Sequence, residues 1–369
     1  MILTGEASGD LHGANLVKAI RKIDSHISFF GTGGKALKKE GSELFLDIKS
    51  LSVMGLTEVL AKMHLILKAL RESKQILKER RPNLLILIDF PEFNLTVAKT
   101  AKRLGIPVLY YISPKVWAWR SGRIKTIKAR VDRMVIILPF EEEFYRNENI
   151  PYTYVGHPLM DTKLSEYPYP SIDEKEDKII GILPGSREKE VLRILPEIME
   201  TAKLLSKEQK DLKFLVSVAP SLDISLIHHI VDPYRSEINL GITTDSVYDI
   251  FKILDFAIAA SGTVTLEAAI AGIPMVVLYK MSSMSYFFAR RLVKLKYASL
   301  VNLIAGREVV PELLQNDANP KNIAVTINRL LKDETALDQM KNELIKVRTS
   351  LGEPGASTRV AKIALEMMT

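Results

Sequence analysis

Short, almost wholly apolar runs alternate with longer amphipathic segments along nearly all of the chain, and this alternation leaves few folds open. Leu84–Ile88, Val108–Ile112, Met134–Leu138, Ile179–Leu183, Phe214–Val218, Phe256–Ala260 and Met275–Leu278 have the length of strands, not of helices. Between them lie helical stretches such as Glu58–Arg80, Asn94–Leu104, Glu190–Ser206 and Pro320–Leu331. Strands and helices that alternate in this way build parallel sheets covered by helices. A chain of 369 residues exceeds one ordinary core, so two doubly wound, Rossmann-like α/β domains are expected. The clearest compositional break is Asp161 to Lys178, rich in Pro, Tyr and acidic residues. It divides the chain into an N-terminal domain (1–160), a linker (161–178), a C-terminal domain (179–335) and final helices (336–369) expected to pack back on the first domain or on a partner protomer.

Composition excludes several chemistries. There is no cysteine, hence no disulfide, thiolate metal site or Cys nucleophile, which suits a reducing cytosol. No apolar run reaches the roughly 20 residues that span a bilayer, and no signal peptide is visible. Met1 leads at once into Ile2-Leu3-Thr4, a short first strand, so residues upstream are expected to be missing. The net charge of +7 is compatible with an anionic partner and equally with simple solubility.

The chemistry-bearing words sit after strands. Phe256–Ala260 runs into Ser261-Gly262-Thr263 and then a helical segment, Leu266 to Ala271, with Glu267 in its first turn. A strand, a glycine turn and a helix N-terminus form a seat for a diphosphate, and a carboxylate one turn in can accept from a ribose diol. Leu183-Pro184-Gly185-Ser186-Arg187 repeats the pattern: Gly185 lets backbone N–H groups approach phosphate, and Arg187 can fork across its oxygens. It is not a P-loop. No Asp-x-Asp occurs, and the six histidines show no metal-binding spacing, so no metal and no cofactor is expected.

In the first half, Gly5-Glu6-Ala7-Ser8-Gly9-Asp10-Leu11-His12 opens a helix after a strand but lacks the dinucleotide fingerprint, and a mere packing turn explains it as well. Asp89 ends an apolar strand, where a general base would be needed, although an isolated strand-end Asp more often caps a turn. Asn94 reads as the N-cap of the next helix. Trp117 and Trp119 suit sugar rings or acyl chains, or rim packing. The basic stretch Arg120, Arg123, Lys125, Lys128, Arg130 and Arg133 reads as a solvated face before a nucleic-acid site. Val59, Leu60, Met63, Ile66, Leu67 and Leu70 form a stripe flanked by cations, which fits a core-facing helix or one lying on an anionic membrane. Tyr286–Lys294 invites the same two readings.

Taken in order, these words resemble the lipid-A-disaccharide synthase family, inverting glycosyltransferases of the GT-B fold. They are Gly5-Glu-Ala-Ser-Gly-Asp10, Val53-Met-Gly55, Ile88-Asp-Phe-Pro-Glu-Phe-Asn94, Ser113-Pro-Lys-Val-Trp-Ala-Trp-Arg120, Leu138-Pro-Phe-Glu141, Val155-Gly-His157, Leu183-Pro-Gly-Ser-Arg187, Ala260-Ser-Gly-Thr263 with Glu267, and Asn302-Leu-Ile-Ala-Gly-Arg307. The resemblance implies two Rossmann-like domains facing across a cleft. It implies that UDP-2,3-diacylglucosamine donates its sugar to 2,3-diacylglucosamine 1-phosphate, giving the β-1,6 disaccharide 1-phosphate of lipid A and UDP. On that reading Asp89 is the base, with Asp10 and His12 as lesser candidates. Gly9, Asp10, His12, Asn94, Trp117 and Trp119 lie on the acceptor side, and Gly185, Ser186, Arg187, Ser261, Gly262, Thr263, Glu267, Asn302 and Arg307 serve UDP. The resemblance favours the membrane reading of the stripe, on the cytoplasmic face of the inner membrane. It also implies a homodimer in which C-terminal exchange brings Asn302 and Arg307 to a partner's site. The alternatives are a UDP-N-acetylglucosamine epimerase or a transferase with another acceptor on the same fold, or a basic binding protein without catalysis.

Overall fold

A computed structural model describes residues 1–48, 63–117, 122–168, 178–282, 286 and 295–368. The word Val53-Met-Gly55, the positions Val59, Leu60, Trp119 and Arg120, most of the linker (169–177) and most of the Tyr286–Lys294 segment lie outside the described residues. The chain divides into two units, Met1–Asp161 with Leu351–Thr369, and Thr162–Ser350.

The first unit is built on seven strands: β1 (Ile2–Leu3), β2 (Phe30–Gly33), β3 (Glu43–Asp47), β4 (Leu85–Ile88), β5 (Val108–Tyr111), β6 (Arg133–Ile136) and β7 (Tyr152–Tyr154). They pair in the order β3-β2-β1-β4-β5-β6-β7, every pair parallel. The second unit carries β8 (Lys178–Leu183), β9 (Leu212–Ser217), β10 (Leu240–Thr243), β11 (Phe256–Ala260), β12 (Met275–Tyr279) and β13 (Glu312–Leu314). Their order is β10-β9-β8-β11-β12-β13, again all parallel. The central strands are buried on both faces, which explains why β4 and β11 read as unbroken apolar runs. Each sheet starts near its middle and winds outward both ways, so each has one switch point: between β1 and β4, and between β8 and β11.

Helix faces follow the 3.6-residue period. Along Glu188–Glu208 the buried residues Val191, Ile194, Leu195, Ile198, Met199, Ala202 and Leu205 form one stripe. Two helix starts differ from the sequence expectation. The helix after β4 spans Pro91–Arg103, because proline suits the first helical position, so Asn94 lies inside it and is not its N-cap. The helix after β11 spans Thr263–Ile270, three residues earlier than Leu266, which moves Glu267 into the second turn.

The final helices belong to different units. Glu334–Ser350 packs within the second, on the helices Thr263–Ile270 and Leu300–Ala305. Ala356–Glu366 packs on Ala7–Ile23 in the first. Asp161 fixes that last helix by accepting from the N–H groups of Gly355 (2.6 Å), Ala356 (3.0 Å) and Ser357 (3.1 Å), a carboxylate at a helix N-terminus. Within the second unit the buried Arg348 donates to the carbonyls of Tyr167 and Ile270, neutralising the C-terminal end of Thr263–Ile270.

Candidate active site

In open parallel sheets ligands gather outside the carboxyl ends of the strands at a switch point. At that edge of the first unit stand the turn after β1 and Asp89, which directly follows β4. The Asp89 backbone is left-handed at φ 52°, and Phe90 follows at φ 45°. Paired positive φ values outside glycine are costly and persist only where the surroundings hold them. Here the Asp89 carbonyl accepts from Asn94 Nδ2 (2.6 Å) and Tyr110 Oη (2.6 Å), while the Phe90 ring stacks on Phe93. Gly5 makes room for Phe90, since a Cβ there would collide with its side chain. Asn94 also donates to the Ile88 carbonyl, so its role is to clamp the end of the strand.

The clamp leaves the Asp89 carboxylate unengaged: among the described residues it takes no hydrogen bond and caps no turn, which removes the capping alternative. Burial, with Glu6 nearby, pushes it up to about 6, and Lys115 pulls the other way. Its Oδ2 lies against Gly9, where an added methyl would sit 3.1 Å away.

Asp10 has a different job. Its oxygens accept from the N–H groups of Gly34 (2.6 Å), Ala36 (2.9 Å) and Leu37 (3.2 Å), capping the short helix Lys35–Lys39. Three backbone donors hold it on the turn Gly34–Leu37, so it is a structural carboxylate. His12, one turn beyond Gly9, is half-buried edge-on to Tyr111, its Nδ1 covered and without a hydrogen-bond partner among the described residues. Burial pushes it down to about 4, and the adjacent His157 is pushed down to about 3 by burial and by His12. Both imidazoles are neutral near pH 7.

In the second unit, β8 and β11 are neighbours, with Leu183 level with Ala259. The loops Gly185–Arg187 and Ser261–Thr263 therefore leave adjacent strands at the switch point. Gly185 adopts φ 104°, and a Cβ there would strike the Glu190 carboxylate. Glu190 reaches back from the first helical turn to the Ser186 N–H. Ser186 and Arg187 are exposed at the start of Glu188–Glu208. Ser261 is tied down by its N–H to Leu278 O (2.9 Å) and its Oγ to Ala298 O (2.9 Å). Gly262 is extended, and a Cβ there would meet nothing, so its small size keeps the approach to the helix open. Behind it Glu267 is pushed up to about 7 by burial alone, with no cation or hydrogen bond among the described residues to offset it.

The comparisons with known proteins meet this geometry. The family model for lipid-A-disaccharide synthetase matches residues 1–367. A lipid-A-disaccharide synthase from Geobacter metallireducens is 43% identical, covering 100% of this chain and 97% of its own. The chain belongs to the lipid-A-disaccharide synthase family. Among solved structures, a UDP-GlcNAc 2-epimerase from Neisseria meningitidis has a TM-score of 0.66 at 14% identity, covering 99% of each chain. The kitacinnamycin glycotransferase has a TM-score of 0.64 at 12% identity, covering 100% of this chain and 98% of its own. At such identities these two share the fold alone, that of GT-B glycosyltransferases and UDP-GlcNAc 2-epimerases.

Several words of this lipid-A-disaccharide synthase family turn out to be structural. Asn302 is wholly buried, donating to Val310 O (2.8 Å) and Glu312 Oε1 (2.8 Å) and accepting from the N–H groups of Val309 and Val310. With every polar atom used, it has none left for UDP, correcting the expectation from sequence. Arg307 pairs with Glu343 within its own unit. Trp117 is no open stacking platform: its Nε1 donates to Glu141 Oε1 (2.9 Å) and its ring meets Phe140 edge-on.

The sequence assigned no role to Glu141, quoted only within a family word, and did not single out Glu312. Glu141 is buried and pushed up to about 7. Glu312 gathers the Ala298 and Ser299 N–H groups with Asn302 Nδ2. Glu141 closes the word Leu138-Pro-Phe-Glu141 and Glu312 stands in an apolar run, but nothing local told either from a surface carboxylate. The basic stretch is largely engaged as well, with Arg123 paired to Glu92, Lys128 to Glu148, and Arg130 bonded to Leu95 O. No three His, Asp or Glu side chains among the described residues gather to hold a metal.

Proposed function

We propose that the chain transfers 2,3-diacylglucosamine from its UDP-activated form to the 6-hydroxyl of 2,3-diacylglucosamine 1-phosphate. The products are the β-1,6-linked disaccharide 1-phosphate of lipid A and UDP. One observation carries the reading: membership of the family along the whole chain coincides with an unengaged carboxylate, Asp89, held at the switch point of the first sheet.

A base for an alcohol must be ionised at working pH yet retain proton affinity. A carboxyl pushed up to about 6 is roughly nine-tenths ionised at pH 7. In the proposed step Asp89 takes the proton of the acceptor O6–H as O6 bonds to C1 of the donor sugar. The bond from C1 to the β-phosphate oxygen breaks in the same displacement, so the configuration inverts and no covalent enzyme intermediate is needed. The leaving diphosphate gains charge. The paired loops supply backbone N–H groups, two helix N-termini and Arg187 against it. Glu267, desolvated and unpaired, is suited to accept from the ribose hydroxyls.

The reading extends to the source of the substrates. No described helix is long and apolar enough to cross a membrane. The helix Met63–Arg80 nevertheless exposes Met63, Leu65 and Leu67 in its first two turns, beside the exposed Lys68 and Arg71. This supports attachment to an anionic bilayer surface, the cytoplasmic face of the inner membrane, from which acylated sugars are drawn. Incubation with the two acylated glucosamines, followed by mass spectrometry, tests the function. The disaccharide monophosphate is expected in equal amount to UDP, and UDP release without it would sink the reading.

A further inference from the structure

The turn after β5 shows an unusual alternation. Ser113, Pro114 and Val116 are buried, Trp117 is half-buried, and Lys115 alone is exposed. The turn is held from beneath at both ends. Ser113 Oγ bonds Tyr145 Oη, and Trp117 Nε1 donates to the buried Glu141, whose other oxygen accepts from the Leu138 N–H (3.2 Å). A tight N–H to carbonyl contact from Val116 to Pro114 (2.6 Å) closes the middle. A lysine is ordinarily a mobile surface cation, but this one stands on a fixed pedestal.

Its place is informative. β5 pairs with β4 so that Tyr111 lies level with Ile88, and Asp89 directly follows β4. Lys115 thus emerges from the strand end beside the one bearing the base, and its charge is felt at the Asp89 carboxyl. On the other side of Asp89 stands the exposed Glu6, whose charge acts in the opposite sense. Lys115 makes no ion pair or hydrogen bond among the described residues. An anionic ligand approaching Asp89 is therefore attracted on the β5 side and repelled on the β1 side.

We propose that Lys115 binds the phosphomonoester of the acceptor sugar and so orients the acceptor on Asp89, making it a specificity-determining residue. This rests on the transferase reading above. In a pyranose ring C1 and C5 both flank the ring oxygen, so the 1-phosphate and the 6-hydroxyl on C6 are neighbours, as are the strand ends that carry Lys115 and Asp89. Anchoring the phosphate at Lys115 therefore sets the 6-hydroxyl beside the base at the next strand end. Glu141 is a positioning residue, acting through Trp117 on the turn that presents the lysine.

The test compares the intact enzyme, Lys115→Gln and Lys115→Arg on two acceptors: the 1-phosphate, and the same acylated sugar as its 1-O-methyl glycoside. Wild type is expected to prefer the phosphate. Lys115→Gln should lose roughly ten- to hundred-fold in kcat/KM on the phosphate, through KM, as for one charge-assisted hydrogen bond. It should lose far less on the glycoside, where only the small effect of the missing charge on Asp89 remains, and Lys115→Arg should keep most of the preference. UDP affinity, measured by calorimetry, should be unchanged in both variants. Equal losses on the two acceptors, no loss on either, or a wild type indifferent to the phosphate would each overturn the proposal. If wild type joins neither acceptor, the transferase reading itself falls and takes the proposal with it.

Discussion

At the scale of single residues, two carboxylates define the account by being left alone. Asp89 and Glu267 are desolvated and unpaired, whereas Asp10, Asp161 and Glu312 are saturated by backbone N–H groups. Asp89→Asn is expected to bind UDP normally while kcat falls about 10²–10⁴-fold, the ordinary range for loss of a general base. The sign of its stability effect follows from the raised pKa. The folded chain holds the Asp89 proton more tightly than the unfolded chain, so the neutral form stabilises below about pH 4, and that contribution is lost as pH rises to about 6. Removing the charge with Asn, which tolerates the left-handed backbone, should therefore leave the melting temperature at pH 7.5 unchanged or higher. A large drop in melting temperature would mean that the ionised carboxylate is structural. Glu267→Gln and Asn302→Ala form a second contrast. The first should weaken UDP binding about 5- to 50-fold, the loss of one or two hydrogen bonds to a charged group. The second should cost about 2–4 kcal/mol of stability by orphaning the Val309 and Val310 N–H groups, with UDP affinity of the folded enzyme unchanged.

At the scale of elements, the helix Met63–Arg80 separates two readings that the sequence merged. Met63 and Leu67 are exposed, while Ile66 and Leu70 are half-buried against the core of the first unit. Met63→Ser with Leu67→Ser should reduce binding to anionic vesicles in a sedimentation assay and spare the urea midpoint. Ile66→Ser or Leu70→Ser should each cost about 1–2 kcal/mol. The reverse pattern would make the exposed pair structural. Periodicity revealed that a stripe existed but not where along it the covering stops, because that depends on what packs across from each turn.

Helix starts show the same limit. Pro91 and Thr263 begin their helices earlier than the apolar period does, which moved Asn94 and Glu267 by a turn. The two histidines add a pH test for the first unit. His12 and His157, pushed down to about 4 and 3, stabilise as neutral rings above roughly pH 6.5, and that contribution is lost as pH falls. Asp89 and Glu141 titrate in the opposite sense. The test is therefore a difference: the urea midpoint of His12→Gln should fall less than that of wild type between pH 7 and 4.5. An identical fall would mean that His12 is charged or exposed when folded.

At the scale of the whole molecule, both sheets wind outward from a central first strand, and the residues left chemically unoccupied lie at the two switch points. The alternation of strands and helices was legible from apolar run lengths alone. The phosphate loops were legible because glycine after a strand is a local signal. What stayed hidden was which polar residue of a motif is spent on the fold. Asn94, Asp10, Trp117 and Asn302 look as functional in sequence as Asp89, and only their partners tell them apart. The partners named above stand between 5 and 27 positions away, mostly beyond the reach of a local pattern.

The most direct measurement is the anomeric configuration of the new linkage, read by proton NMR on the product formed in excess EDTA from the α-linked UDP donor. A β-1,6 bond is expected, seen as a large diaxial H1–H2 coupling, with one UDP per disaccharide. An α-linked product, an epimerised sugar nucleotide, or no product without added metal would contradict a single metal-independent displacement assisted by Asp89.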